Sequence, residues 1–222
     1  MSKLKPKTVR TCLLAAGLSL GFATATFLAQ SGAAFAQDDA EELEIVFVPP
    51  VDGAPAERIG AGTRGSGSPS AQLKLMVPKG GALTGSQSPA LYWWNAKPYD
   101  GMLTVTLTRD GTDTPLLNLE EKVTLQGGLN TISLGDVGVR LKAGDIYRWA
   151  VSIVSGNRTV TQSSYIEFRK SDMSATDSSA KMAKALAGAG LWYDAFALVA
   201  KDPKLSGARM AMLKQVGIKL PN

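Results

Sequence analysis

The chain of 222 residues contains no histidine and one cysteine, Cys12. Without imidazole there is no Ser-His-Asp or Cys-His nucleophile arrangement and no histidine metal ligand, and the commonest general base is missing. A single cysteine supports neither an internal disulfide nor a thiolate metal cluster. What is present is the balance of a folded chain, with 45% hydrophobic and 19% charged residues, enough apolar content to bury a core.

The first 36 residues read as an address. Lys3, Lys5, Lys7 and Arg10 precede an apolar stretch from Cys12 to Leu28, and Ala34-Phe35-Ala36 stands just before Gln37-Asp38-Asp39. A positive start, an apolar middle and an A-x-A site are the three parts of a secretory signal peptide. Gly17, Ser19, Gly21, Thr24 and Thr26 dilute the apolar run, which argues for cleavage rather than an uncleaved anchor. Removing it takes away four basic residues and no acidic ones, so the net charge falls from +5 to +1. The basic pI of about 9.3 is thus mostly that of the leader and gives no reason to expect nucleic acid as a partner. No membrane span follows the leader, and the expected location is periplasmic or secreted.

Residues 37–72 read mainly as a linker rich in Gly, Pro and Ser, with Ile45–Val48 as a possible edge strand ended by Pro49-Pro50. Gly60-Ala61-Gly62-Thr63-Arg64-Gly65 matches the dinucleotide fingerprint in form. That motif needs a strand before it and a helix after it, whereas Ser66-Gly67-Ser68-Pro69 follows here. It is read as a Gly-rich loop, and no cofactor is expected.

From Leu73 to Arg169 the apolar period is two, interrupted every 8–12 residues by turn residues. Candidate strands are Leu73–Val77, Leu91–Asn95, Met102–Arg109, Leu116–Leu119, Lys122–Gln126, Asn130–Leu134, Ile146–Val154 and Arg158–Phe168. Asp110-Gly111 and Gly156-Asn157 are hairpin-turn pairs. This pattern predicts an antiparallel immunoglobulin/fibronectin III-like β-sandwich over residues 73–170. Tyr147, Trp149, Val151 and Ile153 would share its core face.

Beyond Lys170 the period changes to 3.6. Ala180–Ala187 supports a first helix, and Leu191, Ala195 and Val199, flanked by Trp192 and Phe196, form the stripe of a second. Ser206 is placed to cap a third, with Met210, Leu213 and Val216 on one side. A helical tail of this size, residues 171–222, seldom folds without support. It is expected to pack on the sandwich.

Gly60 to Gly65, Leu75-Met-Val-Pro78, Leu83-Thr84, Ser88-Pro-Ala-Leu-Tyr-Trp-Trp94, Tyr147-Arg-Trp149 and Gly190-Leu-Trp-Tyr-Asp-Ala195 occur here in one order. In that order the chain resembles the family of exported bacterial proteins catalogued as domain of unknown function 928. The resemblance implies export, a β-rich module and a helical tail, and implies no reaction. Relatives often carry a cysteine after the Tyr-Arg-Trp strand, where this chain has Val154-Ser155.

An enzyme of this composition would rely on carboxylates, and Glu120, Glu121, Asp136, Asp145 and Glu167 are the candidates for a glycoside hydrolase pair. Glu120 and Glu121 point to opposite faces of a strand, and Asp136 and Asp145 lie in turns. A non-catalytic binding or adaptor module of the envelope, acting through protein contacts, fits better. Its alternative is a carbohydrate-binding module using exposed aromatics. Tyr92 and Trp94 alternate with Leu91 and Trp93, so one aromatic pair falls outside the core and needs cover from the tail, a partner or a sugar. Arg64, Tyr92, Trp94, Trp192 and Tyr193 are therefore the candidate partner- or ligand-binding residues, with no metal site.

The leader reading predicts cleavage after Ala36. Intact-mass measurement of the exported protein decides it, since a species retaining residues 1–36 would mean an anchor.

Overall fold

A computed structural model describes residues 44–50, 73–173 and 178–220. The expected signal peptide, the Gly60–Gly65 loop and Arg64 lie outside the described residues. Alternation of apolar and polar residues builds the long strands. In β4 (Tyr99–Arg109) Leu103, Val105 and Leu107 are buried, while the threonines between them are half-buried. In β7 (Ile146–Ser155) Tyr147, Trp149, Val151 and Ile153 all face inward, as period two requires.

The remaining strands are β1 (Leu73–Leu75), β2 (Ala82–Thr84), β3 (Ala90–Asn95), β5 (Pro115–Leu125), β6 (Gly128–Ser133) and β8 (Arg158–Phe168). They form two sheets and no closed barrel: a three-stranded sheet in the order β1-β3-β6, and a five-stranded one in the order β2-β8-β7-β4-β5. Leu91 and Trp93 of the first share one continuous core with Val105, Trp149 and Val151 of the second.

Pairing is antiparallel except between β2 and β8, which run parallel. That exception corrects the expectation of a wholly antiparallel fold. β2 has only three residues, too few for a period to register, and its entry depends on glycine. Gly81 has φ +110°, and a Cβ there would sit 2.5 Å from the Tyr165 carbonyl oxygen. The two strands expected at Leu116–Leu119 and Lys122–Gln126 are one strand, β5. Glu120 and Glu121 do not interrupt it, because an exposed edge strand accepts charge on either face.

Three helices follow: α1 (Ser179–Gly188), α2 (Trp192–Lys201) and α3 (Ser206–Gln215). Ser178 caps α1, its hydroxyl accepting from the Lys181 N–H at 3.2 Å. Ser206 does not cap α3. A 3-10 turn at Pro203–Leu205 leads straight into that helix, and Asp202 caps the turn instead by accepting from the Lys204 N–H.

Residues 44–50 are extended and bonded to the helices rather than to a sheet edge. Ile45 and Phe47 are buried, while Val46 and Val48 point outward. The Gln215 carboxamide accepts from the Phe47 N–H and donates to the Ile45 carbonyl, each at 2.8 Å. The Val48 N–H donates to Ala187 O at 3.1 Å. This strap passes so close to the α1–α2 turn that a Cβ on Gly190 would lie 3.2 Å from Val48 O.

Phe47 and Phe196 flank Trp192, with ring centroids 4.9 and 5.7 Å away, and the Trp192 indole donates to Met76 O at 2.9 Å. Trp192→Ala should therefore lower unfolding free energy by about 3–5 kcal/mol. Val46→Ala, on the outer side of the strap, should stay within about 0.5 kcal/mol. Denaturant titration of both variants checks the contrast.

Candidate functional site

Two stripes divide the surface of α2. Trp192, Ala195, Phe196 and Val199 are buried, whereas Asp194, Ala197, Leu198 and Lys201 follow one another at i, i+3, i+4 and i+7 along another side. That second stripe is one wall of a cleft of about 730 Å³, which Met182 and Leu186 of α1 also line. The facing wall is one face of the three-stranded sheet, where the cross-strand pairs Ala90–Ser133 and Tyr92–Thr131 bring small and hydroxyl side chains to the surface. Ser86, Ser88 and Asp136 complete the lining.

Asp194 is tied down within the cleft. Its Oδ2 accepts from the Gly85 N–H at 2.7 Å and from Thr84 Oγ1 at 3.0 Å, tying the first turn of α2 to the end of β2. Burial pushes its carboxyl above the usual range, and those two hydrogen bonds only partly offset the shift. The Tyr92 phenol is also raised by burial, countered in part by a hydrogen bond with the Thr131 side chain.

The predicted site residues separate. Tyr92 and Tyr193 both line the cleft, although each side chain is almost wholly buried, at 6% and 3% exposed. Tyr193 belongs to an internal chain: the Trp149 indole donates to its hydroxyl at 2.7 Å, and that hydroxyl donates to Tyr165 O at 3.0 Å. Burial raises the Tyr193 phenol far above its ordinary value. Trp192 is fully buried beside it. Trp94 lies elsewhere, lining a smaller apolar hollow of about 160 Å³ with Phe196, Met210 and Leu213. Tyr92 packs edge-on against Phe196, with centroids 5.4 Å apart.

Of the carboxylates weighed for hydrolysis, Asp136 lines the cleft. Asp145 pairs with Arg109 and Glu167 with Arg169, each at 2.7 Å. Glu120 and Glu121 are exposed on β5. Sequence reasoning missed Asp194 and Lys201. The first stands inside the Gly190-Leu-Trp-Tyr-Asp-Ala195 block, and the 3.6 period from it reaches the second. Among the described residues no group of three or more carboxylates is placed to hold a metal ion.

The arrangement is that of a two-sheet β protein with a helical layer and a mixed apolar and polar cleft between helix and sheet. The chain belongs to the family described as Domain of Unknown Function (DUF928), whose sequence profile matches residues 59–220. No match was found among curated proteins.

Because the Asp194 carboxyl is raised, the folded protein holds that proton to higher pH than the unfolded chain does. The group's contribution to stability is greatest below about pH 4 and declines as pH rises through the folded value. Asp194→Asn keeps an oxygen for the Gly85 N–H and removes the titration. We predict that the stability difference between wild type and this variant falls with rising pH, measured by urea unfolding across that range. A flat difference would show that the carboxyl does not titrate in this way.

Proposed function

We propose that this protein is an exported, non-catalytic binding module of the bacterial cell envelope, acting through protein contacts, that takes a segment of a partner protein in the cleft between α1–α2 and the β3–β6 face. The carrying observation is the cleft itself. About 730 Å³ is within the size of pockets that enclose a ligand group, and its lining mixes apolar walls with a few convergent polar groups. Asp136 and Lys201 offer both signs of charge to a peptide. A sugar would look for an open ring face, and Tyr92, Trp192 and Tyr193 are each at most 6% exposed. Catalysis by Asp194 is disfavoured because its carboxylate already serves Thr84 and Gly85.

Export is supported by the three-part N-terminus, Lys3 to Ala36. Among the described residues no helix is long and apolar enough to cross a membrane. The finer architecture we propose is immunoglobulin/fibronectin III-like, with the helical tail packed on the sandwich. The strand order β1-β3-β6 against β2-β8-β7-β4-β5 supports it. So does Tyr147 near the start of β7, whose hydroxyl accepts from the Lys142 N–H at 2.9 Å, the kind of corner such sandwiches use.

A photo-crosslinking residue at Ala197, in the cleft wall, should give a discrete protein adduct when the protein is irradiated in its own envelope. The same residue at Thr106, on the opposite surface of β4 from the core, should not. Equal labelling at both sites, or none at Ala197, overturns the reading.

A further inference from the structure

The five-stranded sheet ends at β5, and no strand lies beyond it among the described residues. β5 runs for 11 residues. Its core-side row carries Leu117, Leu119, Val123 and Leu125, half-buried and packed from within, with the exposed Glu121 in the middle of the row opposite Leu103. Glu120, Glu121 and Lys122 at its centre are exposed. An edge of this length with an incompletely covered apolar stripe is a template for another strand.

What that strand would carry can be read from β5 itself. In antiparallel pairing, residues on the same face oppose one another, which leaves three registers that centre on the charged middle. One sets Glu120 against Glu120 and Leu119 against Glu121. Another sets Lys122 against Lys122 and Glu121 against Val123. The third sets Glu120 against Lys122 twice, Leu119 against Val123 twice and Leu117 against Leu125 twice. Only this third register satisfies charge and apolar pairing together. We propose that β5 of a second copy of this chain adds antiparallel to β5 in that register, joining two five-stranded sheets about a two-fold axis at Glu121. The surface is isologous, as a two-fold contact demands. The single opposed like pair is Glu121 with its own copy, on the core-side row and exposed in the single chain, a repulsion that the two charge pairs and four apolar pairs of this register must outweigh. This interface is separate from the cleft and does not depend on what the cleft binds.

Sedimentation equilibrium on the purified exported protein should show a monomer–dimer equilibrium. Glu120→Lys and Lys122→Glu should each weaken it by about tenfold or more, because every favourable cross-strand charge pair becomes a repulsive one. An equimolar mixture of the two variants should regain association, since each supplies the charge the other lacks. Unchanged melting of both variants separates lost pairing from lost folding. The register is read independently in a Cys12→Ser background. Glu121→Cys should oxidise to a covalent dimer, the opposed Cα atoms of an antiparallel pair lying about 4.5–5.5 Å apart. Glu120→Cys, which faces Lys122, should not. A protein that stays monomeric, a mixture that fails to recover, or equal crosslinking at both positions overturns the proposal.

Discussion

Trp192, Tyr193 and Asp194 open α2, and each reaches a different part of the β structure. The Trp192 indole bonds the backbone that follows β1, at Met76. The Tyr193 hydroxyl sits between the Trp149 indole of β7 and the Tyr165 carbonyl of β8. Asp194 holds the end of β2 through Thr84 and Gly85. A helix of ten residues is marginal by itself, so α2 owes its order to these anchors and to the apolar stripe beneath them. The dependence also runs the other way. An indole N–H buried at Trp149 would cost free energy if left unpaired, and the helix supplies its acceptor. Sheets and helices are therefore one folding problem in this chain.

The docking of α2 also explains why much of the candidate site was not legible beforehand. Alternation along Leu91-Tyr92-Trp93-Trp94 correctly puts Leu91 and Trp93 in the core shared by the sheets, and it leaves Tyr92 and Trp94 on the other face. Periodicity cannot say what covers that face. The answer is Phe196 for Tyr92, a long-range contact that no local pattern encodes. Burial then withdraws the aromatic rings from the surface. The cleft is left to residues of ordinary appearance, such as Ala197, Leu198 and Lys201, which carry no motif. Strand positions were readable because a period of two is a local property. The parallel β2–β8 pair was not, because it depends on a three-residue strand and on Gly81 passing against Tyr165.

Ion pairs occupy a limited place in this structure. Arg109–Asp145 and Arg169–Glu167 are short, at 2.7 Å, yet the arginine side chains are 50% and 40% exposed, and solvent-screened pairs of that kind contribute little. What the charges do is position. Arg109 holds Asp145 beside the Tyr147 hydroxyl, at the turn that launches β7. Arg169 follows the last residue of β8, where its own N–H donates to Thr84 O. Asp145 stands just before β7 and Glu167 beside the last residue of β8, each held by its arginine.

A chain with a single cysteine joins distant segments by packing and hydrogen bonding rather than by an internal disulfide. The strap at residues 44–50 does this by bonding to Gln215, 168 and 170 positions away. One carboxamide presents both an acceptor and a donor to alternate backbone groups, as a neighbouring strand would, and Ile45 and Phe47 enter the core as strand residues enter a sheet. The strap precedes the matched family span, whereas Gly190 and Gln215, which receive it, lie within that span. Contacts this distant in sequence are costly to close while the intervening chain is disordered, because loop closure costs entropy before the contact returns anything. In the folded chain the strap rests on helices that the sheets in turn hold. Phe47 completes the cover over Trp192, the residue through which those helices are anchored.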